Sequence, residues 1–312
     1  MKDLKGKTAF VTGGASGLGL GIAKACAKEG MNVVIADFRQ EAIDEVLPSF
    51  KENGWPVYGI RLDVTDREAF VKAADEAEAA FGKIHVLVNN AGIGHAEGKI
   101  WETSYEEMDF FIAINYTSIL NGIKTIVPRI LKHGEGGYVV STSSKNGLIP
   151  VPGMVLYNST KRAVMAIMET LAIDLQGTGV GASVFCPGPF KTSLGQTSDA
   201  LRTKHLGTPY EPFDTSKLPK RDDIDYSKLD LNFERSPDEA GERVVRGIKR
   251  GDLFILTHAE WKKGWEAHAA AVTRAFPDEE PNEIMMKVFD RHVRNSIYDT
   301  QTQVPAYKKD EK

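Results

Sequence analysis

The chain has 312 residues, of which 42% are hydrophobic and 26% are charged, and its formal net charge is −4 at pH 7. This composition is typical of a globular protein with a large core. The weak negative charge, without a long basic block, argues against a nucleic-acid partner or an anionic membrane surface. No apolar run approaches the ~18 residues that a membrane span needs, and the N-terminus carries no apolar signal region. We therefore expect a cytoplasmic protein in which Cys26 and Cys186 are reduced core residues.

Short apolar segments alternate with amphipathic ones through the first two-thirds of the chain. Near-continuous apolar runs predict strands at residues 8–12, 32–36, 57–62, 84–88, 138–141 and 181–185. Helical periodicity predicts helices between them, at residues 18–28, 40–53, 67–81, 104–131 and 153–176. This alternation implies right-handed crossovers and an α/β fold with a doubly wound parallel sheet.

The character of the sequence changes after Pro187. Residues 195–235 are polar, rich in Pro, Asp and Lys, and too long for an ordinary connection, so they predict a lid, a binding loop or a disordered stretch. Helices at 237–249, 260–276 and 281–296 and a strand at 253–257 follow. No linker separates two cores. We expect one Rossmann-type domain over residues 1–258, including a substrate-binding lid at 195–235, and a helical C-terminal extension over residues 259–312.

A glycine-rich segment directly follows the first predicted strand and leads into the first predicted helix. Its sequence, TGGASGLG at residues 12–19, has the spacing G-x-x-x-G-x-G rather than the common G-x-G-x-x-G. Glycines let the backbone approach a pyrophosphate, and the helix N-terminus offers N–H donors and the positive end of its dipole. With an acidic residue ending the second strand, the segment predicts a nucleotide site. The candidate contacts are Gly13, Ser16, Gly17, Leu18 and Gly19.

The acidic residue at the end of the second strand is Asp37. A carboxylate here can accept both hydroxyls of an adenosine ribose and repels a 2′-phosphate. Arg39 complicates this interpretation, because a nearby guanidinium attracts that phosphate. With Asp37 in the primary position and the uncharged Ser16 in the loop, the sequence favours NAD over NADP.

Two further polar segments follow the next strands, and each has a structural alternative. Asp63 lies at the carboxyl end of the third strand, where it can meet an adenine ring; alternatively it caps the next helix, a role that Asp66 fits better. The segment NNAG at residues 89–92 follows the fourth strand. It is either a simple turn, since Asn and Gly are turn residues, or part of the nucleotide site.

Tyr157 and Lys161 are four residues apart in a predicted helix, so they project from the same face, one turn apart. A free tyrosine titrates near ~10 and is a poor base at neutral pH. A fixed positive charge beside it favours the phenolate. Alone, the spacing is a common coincidence, and its weight comes from the surrounding motifs.

Taken together, these segments resemble the short-chain dehydrogenase/reductase family, in its single-domain branch. The resemblance extends from about residue 5 to residue 194. Besides the segments above, it includes Asn115, Ser144 and the sequence PGPFKT at residues 187–192. Each motif is weak by itself, and the ordered set is specific.

The resemblance implies a catalytic tetrad of Asn115, Ser144, Tyr157 and Lys161. Ser144 is chosen over Ser143 because the family places its serine thirteen positions before the tyrosine. Tyr157 would exchange a proton with the substrate oxygen, Ser144 would hydrogen-bond that oxygen, and Lys161 would lower the pKa of Tyr157 and hold the nicotinamide ribose. Asn115 would anchor a water that relays protons from Lys161. Its alternative role is a helix-interior Asn bonded to nearby backbone.

The resemblance also implies how the cofactor is held. Pro187, Phe190 and Thr192 would border the nicotinamide, with Thr192 near the carboxamide. The complete set of implied cofactor residues is Gly13, Ser16, Gly17, Leu18, Gly19, Asp37, Asp63, Val64, Asn90, Gly92, Tyr157, Lys161, Pro187, Phe190 and Thr192. No metal is required, and the sequence has no Cys/His cluster with ligand spacing.

The substrate pocket is expected from residues 94–97, 146–155, 189 and 194–235. Apolar side chains in and beside these segments predict a bulky, largely apolar secondary alcohol or ketone; they are Val151, Met154, Leu156 and Phe190. His95 either contacts the substrate or is a solvated loop histidine, and the second interpretation is favoured.

The C-terminal region departs from the family's usual pattern, in which the chain ends soon after the last strand with a glycine-rich tail that helps build tetramers. The long lid and helical tail are similar to those of bacterial dehydrogenases that act on lignin-derived aryl alcohols at the benzylic carbon. We expect a homodimer that pairs the helices carrying Asn115 and Tyr157, with a tetramer as the alternative.

The resulting hypothesis is an NAD-dependent oxidoreductase that interconverts a small-molecule secondary alcohol and a ketone by hydride transfer. The alternatives are a hydroxysteroid-type or small alicyclic alcohol dehydrogenase, and a catalytically silent NAD-binding regulator. Regulators of that kind are expected to lack Tyr157 or Lys161, and this chain has both.

Overall fold

A computed structural model describes residues 1–95, 98–210, 234–290 and 296–307. Within these ranges, seven parallel strands form one sheet in the order β3-β2-β1-β4-β5-β6-β7. They are β1 (Thr8–Thr12), β2 (Asn32–Asp37), β3 (Val57–Arg61), β4 (Val86–Asn89), β5 (Gly137–Thr142), β6 (Val180–Cys186) and β7 (Phe254–Leu256). The doubly wound parallel sheet, or Rossmann fold, that the sequence predicted is confirmed.

Helices cover both faces of this sheet. In chain order they are α1 (Gly17–Lys28), α2 (Gln40–Glu52), α3 (Arg67–Phe81), α4 (Tyr105–Ile112), α5 (Ser118–His133), α6 (Lys145–Leu148), α7 (Val155–Asp174), α8 (Leu194–Leu206), α9 (Pro237–Arg250), α10 (Lys262–Arg274) and α11 (Glu283–Val288). Successive residues of a strand point to opposite faces. Val11 of β1 therefore joins the core under α1, α2 and α9, whereas Phe10 joins the core under α3, α5 and α7 and stacks on Phe70 at 6.0 Å.

The strand order opens a crevice at the carboxyl edge of the sheet. β1 pairs with β2 on one side and with β4 on the other, so the connections leaving these strands run in opposite directions. In open α/β sheets, ligands bind outside the carboxyl ends of the strands at this switch point. The glycine-rich segment and Asp37 end the two strands on one side of the crevice, and residues 89–92 end β4 on the other.

The helix predicted at residues 104–131 is continuous but not uniform. α4 passes through a π-helical turn at Ala113–Thr117 into α5, which ends at His133. By length and mean hydropathy, 1.3 in its most apolar window, the stretch Tyr105–His133 is apolar enough to cross a membrane. However, 56% of that window is buried within the protein. The apolar face of this stretch is therefore explained by packing in the core.

The region predicted as a polar lid begins with a helix that the weak periodicity did not indicate. α8 is anchored by polar contacts: Arg202 Nε lies 2.7 Å from Glu107 Oε2, and the Ser198 hydroxyl accepts from the N–H of Gly94 at 3.0 Å. The helix ends at Gly207, which has a left-handed φ of 80°. The remainder of the predicted lid, residues 211–233, lies outside the described residues.

The C-terminal extension packs against the side of the domain that carries α6 and α7. Trp261 lies under the ammonium of Lys145, with 4.7 Å from ring centre to Nζ, and Trp265 under the guanidinium of Arg162 at 5.5 Å. Further along, the side-chain oxygen of Gln301 accepts from the N–H of Phe254 at 2.9 Å, on edge strand β7. Within the helix predicted at residues 281–296, α11 spans Glu283–Val288, and residues 291–295 lie outside the described ranges.

Candidate active site

A cavity of about 540 Å³ occupies the crevice at the carboxyl edge of the sheet. This volume is typical of sites for small molecules and cofactors. The cavity wall contains thirteen of the residues predicted from the sequence, namely Gly13, Ser16, Gly17, Leu18, Asp37, Asp63, Val64, Asn90, Gly92, Tyr157, Lys161, Pro187 and Thr192. The other four predicted residues, Gly19, Asn115, Ser144 and Phe190, lie outside this wall.

The glycine-rich segment forms a turn that only glycine can close. Gly13 and Gly17 have φ of 60° and 50°, in the left-handed region. A Cβ on Gly19 would lie 2.0 Å from the carbonyl oxygen of Gly13. Ser16 precedes α1 without capping it through its side chain, and the first residues of the helix, Gly17 and Leu18, line the cavity. A helix N-terminus with this exposure fits the pyrophosphate of a dinucleotide.

Asp37 and Arg39 lie together at the adenosine end of the cavity. Asp37 is buried, and its two carboxylate oxygens accept from the N–H of Ala15 at 3.2 Å and of Arg39 at 3.1 Å. The guanidinium of Arg39 lies 3.5 Å from the same carboxylate and donates to the Ser16 hydroxyl at 2.8 Å. The carboxylate fits a ribose diol, while the cation beside it is within reach of a 2′-phosphate.

Asp63 and Asp66 divide the roles that the sequence left open. Oδ1 of Asp63 accepts two hydrogen bonds from Thr65, from its N–H at 2.9 Å and its hydroxyl at 2.7 Å. Asp66 caps α3, because its side chain accepts from the N–H of Ala69 at 2.9 Å. The capping prediction for Asp66 is confirmed, and Asp63 remains at the cavity wall beside Val64.

Asn90 fastens the end of β4 to the strands on both sides. Its N–H donates to the Thr12 hydroxyl at 2.9 Å, and its side-chain amide donates to the Thr12 carbonyl at 3.2 Å. The side-chain oxygen accepts from the Thr142 hydroxyl at 3.3 Å, at the end of β5. The side chain of Asn90 therefore fixes the shape of the wall between β1, β4 and β5.

Tyr157, in the first turn of α7, meets the loop that follows β5. The hydroxyl of Ser144 is hydrogen-bonded to the Tyr157 phenol and also accepts from the N–H of Asn146 at 3.2 Å. Ser143 points elsewhere and donates to the carbonyl of Lys161 at 2.6 Å. The structure therefore brings Ser144, and not Ser143, to the tyrosine.

Lys161 lies one turn after Tyr157, with its Nζ 5.6 Å from the centre of the tyrosine ring. Nζ donates to the carbonyl of Thr142 at 3.0 Å. Burial lowers the pKa of Lys161 to about 8, and burial also raises the pKa of Tyr157, against which the Ser144 hydrogen bond acts. Desolvation is the largest influence on the pKa of both groups in this structure, and the expectation that Lys161 lowers the pKa of Tyr157 stays a prediction.

Asn115 occupies the π-helical turn between α4 and α5, a local geometry that often marks functional sites. Its side chain is fully buried and pairs with the backbone of Ile93, accepting from the N–H and donating to the carbonyl, both at 2.9 Å. A Cβ on Gly92 would lie 3.1 Å from Asn115 Oδ1 and 3.2 Å from Lys161 Nζ. Glycine at position 92 thus keeps open the space between these two groups.

The segment at residues 187–192 follows β6 and crosses the mouth of the crevice. Thr192 approaches the glycine-rich turn, since a Cβ on Gly17 would lie 3.4 Å from its side chain. Phe190 does not reach the cavity: its ring is 7% exposed, belongs to the core and stands edge-on to His258 at 5.7 Å. Phe190 therefore lies in the core next to its backbone bridge with Arg235, and its predicted contact with the nicotinamide stays a prediction.

The apolar part of the cavity comes only in part from the segments that the sequence indicated. Among the residues that the structure describes, none of Val151, Met154, Leu156 and Phe190 forms part of the cavity wall. Helices α4 and α8 and the segments beside them supply the apolar residues instead; these are Ile93, Phe110, Ala113, Ile114, Leu194, Leu201 and Leu206. Leu194, Leu201 and Leu206 lie in the predicted pocket segment 194–235. The residues of α4 and the turn after it were not predicted, because the pattern of α4 is explained by core packing.

His95 is also placed differently from the favoured interpretation of a solvated loop histidine. Its ring stacks on Tyr210 with a centroid distance of 3.6 Å and an interplanar angle of 17°. Tyr210 in turn lies under the guanidinium of Arg202 at 4.8 Å. The contact joins the loop after β4 to the end of α8, and residues 96 and 97 lie outside the described ranges.

A second titratable cluster lies at the opposite, amino edge of the sheet. The ligand-type atoms of His85, His133 and Glu135 all lie within 4.8 Å of one another. Both ring nitrogens of His133 are engaged, by the carbonyl of Ile84 at 2.9 Å and the N–H of Glu135 at 3.1 Å. The cluster therefore has the residue types of a metal site but no lone pair on His133 to offer.

Comparison with known proteins identifies relatives over most of the chain. The family model for short chain dehydrogenase matches residues 7–202. The C alpha-dehydrogenase of Sphingobium sp. (strain NBRC 103272 / SYK-6) is 33% identical over 272 residues, or 87% of each chain. The 2,5-dichloro-2,5-cyclohexadiene-1,4-diol dehydrogenase LinX of Sphingobium indicum is 38% identical over 191 residues, which are 61% of this chain and 76% of that one.

A solved structure shows the same architecture. The short chain dehydrogenase/reductase of Burkholderia phymatum in complex with NAD superposes with a TM-score of 0.75 and 28% identity, covering 90% of this chain and 99% of that one. The alignment with the C alpha-dehydrogenase covers 87% of the chain, which is more than the residues that the family model matches. The match to the family model spans more than half of the sequence, from β1 into α8. The chain belongs to the short-chain dehydrogenase/reductase family, whose members are oxidoreductases that act on alcohol or carbonyl groups with NAD(H) or NADP(H).

Proposed function

We propose that the protein is an NAD-dependent dehydrogenase that interconverts a bulky, largely apolar secondary alcohol and the corresponding ketone. The observation that carries this proposal is the hydrogen bond between Ser144 and Tyr157 at the cavity, with Lys161 one helical turn away. A phenol, a hydroxyl and a buried amine that meet beside a cavity of ligand size form an arrangement suited to exchanging a proton with a substrate oxygen.

The cofactor would be held along the crevice. The turn at Gly13, Gly17 and Gly19 would receive the pyrophosphate, Asp37 the adenosine ribose, and Thr192 with Pro187 the nicotinamide end. When bound, the nicotinamide accepts a hydride from the alcohol carbon or returns it to the ketone. The protein's contribution is to orient the two reacting carbons and to manage the proton.

In the oxidative direction Tyr157 accepts the hydroxyl proton of the substrate while Ser144 holds the same oxygen. Desolvation disfavours the charged form of both Tyr157 and Lys161. A protonated amine one helical turn from the phenol would stabilise the phenolate when it forms. Both Lys161 Nζ and Asn115 Oδ1 lie beside position 92, within 3.2 Å of where a Cβ would stand. A water there would pass the proton onward, with Asn115 as its anchor.

Cofactor preference is proposed from the geometry of Asp37. Its carboxylate is fixed by two backbone N–H groups, so a ribose diol finds its acceptor in place, whereas a 2′-phosphate meets a negative charge. Asp37→Ser removes that charge and leaves Arg39 and Ser16 facing the ribose. We expect the ratio of kcat/KM for NADP to that for NAD to rise by about tenfold or more, equivalent to ~1.4 kcal/mol.

The matched control for this change is Asp66→Ser, which also removes a carboxylate near the same edge but keeps a good helix cap for α3. Initial rates with both cofactors for the three proteins decide the assignment. An unchanged ratio of kcat/KM for NADP to that for NAD in the Asp37→Ser enzyme would contradict the role of Asp37. An equal change in Asp66→Ser would show that the loss of one negative charge near this edge, and not the position of Asp37, causes the effect.

The substrate class is supported by the apolar part of the cavity wall. Phe110, Ile114 and Leu201 present aliphatic and aromatic surface to the cavity. One relative is named for dehydrogenation at a C alpha position and another for a cyclohexadiene diol. These observations favour an aryl or alicyclic secondary alcohol over a short aliphatic one.

The test is NADH formation from NAD with a panel of aryl, alicyclic and short aliphatic secondary alcohols. We expect the bulky members to have the higher kcat/KM, because ~25 cal/mol is gained per Å² of apolar surface buried. Binding of NAD without turnover of any alcohol or reduction of any ketone would instead support a regulator.

A homodimer is the proposed assembly. Several apolar side chains are 38–45% exposed on α4, α5 and α7, the helices flanking the sites of Asn115 and Tyr157; they are Ile112, Leu120, Val155 and Ile173. Burial of such a surface against a second copy would remove it from water. Sedimentation velocity distinguishes the dimer from a tetramer.

A further inference from the structure

Arg235, just before α9, is bound to the segment at residues 187–192 through its backbone. Its N–H donates to the carbonyl of Pro189 at 3.2 Å, and its carbonyl accepts from the N–H of Lys191 at 2.9 Å. The side chain makes two further contacts, to Glu239 Oε1 at 2.6 Å and, through Nε, to His258 Nε2 at 3.3 Å. Arg235 is thus attached both to the segment at residues 187–192 and to His258, two residues after the end of β7.

The partners of His258 fix its tautomer. Nε2 accepts from the guanidinium of Arg235, so in the neutral ring the proton lies on Nδ1. Nδ1 is 2.7 Å from the hydroxyl oxygen of Thr257 and therefore donates to it. The same oxygen accepts from the N–H of Gly188 at 3.0 Å. A continuous chain of hydrogen bonds therefore runs from Arg235 through His258 and Thr257 to the backbone of Gly188.

His258 is also in direct van der Waals contact with the segment at residues 187–192. A Cβ on Gly188 would lie 2.5 Å from His258 Nδ1, so the backbone rests directly on the imidazole. The His258 ring also stands edge-on to Phe190 at 5.7 Å. Two positions of the segment, Gly188 and Phe190, are thus set by one side chain, while Pro187 and Thr192 of the same segment line the cavity.

We propose that His258 is a positioning residue that holds the cofactor-facing segment at residues 187–192 in place and couples it to Arg235. It touches neither the tyrosine nor the cavity and acts through Gly188 and Phe190. The inference rests on the proposed location of the nicotinamide beside Pro187 and Thr192. Loss of the imidazole should loosen the segment and weaken cofactor binding more than it slows the chemical step.

Protonation of His258 would break this chain of hydrogen bonds. A second ring N–H at Nε2 would face the Nε–H of Arg235, and two cations would then be adjacent. The charged groups around the ring are Arg235, Arg243, Glu239 and Glu260, and burial followed by Arg235 lowers the pKa of His258 below its ordinary value. The ring is therefore neutral at pH 7, and the coupling is lost only as the pH falls through this lowered value.

The experiment compares His258→Leu, which removes both ring nitrogens, with His258→Asn, whose amide places an N–H donor near the position of Nδ1. Three quantities are measured: amide hydrogen exchange of the peptide spanning residues 187–192, the Kd for NADH by fluorescence, and the pH dependence of kcat and of KM for the cofactor. For His258→Leu we expect faster exchange, a Kd about tenfold higher and a kcat changed less than about threefold.

His258→Asn should restore most of the exchange protection and of the affinity at pH 7. The wild-type KM for the cofactor should rise at acidic pH, and neither variant should show that inflection. Exchange at residues 187–192 unchanged in His258→Leu, or a fall in kcat with an unchanged Kd, would overturn the proposal. The exchange measurement needs no substrate, so it stands even if the panel of alcohols shows no dehydrogenase activity.

Discussion

The two edges of the sheet both gather titratable side chains, but the two clusters are built differently. At the amino edge, the carboxylate of Glu135 is bonded to Lys7, Lys83 and His85, and Nδ1 of His85 accepts from the N–H of Thr8 at 3.1 Å. The charged and polar atoms of this cluster are therefore paired with one another. At the carboxyl edge, Tyr157 and Lys161 are buried beside a cavity.

The difference appears in what governs the pKa values. Ion pairs and hydrogen bonds with Lys83, His85 and Lys7 hold the pKa of Glu135 well below its usual range. At the carboxyl edge, desolvation is the largest cause and it disfavours the charged form of both groups. Groups whose pKa values are shifted by desolvation, next to space for a ligand, are candidates for proton transfer. A cluster of titratable residues without these two properties is part of the scaffold.

The largest expected effect on kcat comes from removing the phenol of Tyr157 at the carboxyl edge. Removal of a phenol at the amino edge is the matched comparison. Tyr157→Phe should lower kcat by about 10²–10⁴-fold, because the proton acceptor at the cavity is lost, while NADH still binds. The matched change is Tyr138→Phe near the amino end of β5, where the buried phenol contacts Ser183 Oγ at 2.9 Å. It should cost about 1 kcal/mol of folding free energy and leave kcat within about twofold.

Steady-state kinetics, NADH fluorescence and urea unfolding of the two variants separate these outcomes. Substantial turnover in Tyr157→Phe would remove the tyrosine from the mechanism. A large kcat loss in Tyr138→Phe would show that the amino edge is coupled to the site, and the contrast between the edges would fail.

The sequence predicted the carboxyl edge better than it predicted the helices that cover it. Residues 12–19 and Asp37 follow from backbone requirements: glycine where φ is positive, and a carboxylate where β2 ends. Ser144 followed only from the family spacing, since three serines lie within four positions. The helix α8 was not predicted, because Arg202 and Ser198 anchor it through polar contacts and its sequence has no apolar helical period. The raised pKa of Tyr157 also could not be read from the spacing, because desolvation depends on tertiary packing.

The second prediction concerns the buried amine. Lys161→Met should lower kcat by at least about a hundredfold, since it removes the partner of the tyrosine. The variant should also be more stable than the wild type at pH 7. Burial lowers the pKa of Lys161 in the folded chain to about 8 from its ordinary value of 10.5, so the unfolded chain binds more protons between these values. Wild-type stability therefore rises with pH across this window, and below pH 8 the full cost of burying the charge is present.

We expect the Tm of Lys161→Met to exceed that of the wild type by about 5 °C at pH 7, with the difference narrowing from pH 8 upward. Lys145→Met is the control, because Lys145 is also partly buried but packs on Trp261 outside the cavity wall. It should keep its turnover. A Lys161→Met protein less stable than the wild type at pH 7 would show that the amine is uncharged or well solvated there.

The smallest expected effect tests the amino edge itself. Glu135→Gln removes the charge that Lys7 and Lys83 share and should lower the Tm at pH 7 by about 1–2 °C, because exposed ion pairs are weak. Since its pKa is lower in the folded chain than in the unfolded chain, Glu135 stabilises the protein above the unfolded value near ~4.3, and this stabilisation is lost as the pH falls through the folded value. The Tm difference should therefore be constant from pH 7 to about 5 and shrink below about 4. Glu102→Gln, in an exposed pair with Lys99, serves as the control without a detectable shift. If Glu135→Gln changed kcat as well, the cluster would act on the site across the sheet, and the distinction between a scaffold edge and a chemical edge would have to be abandoned.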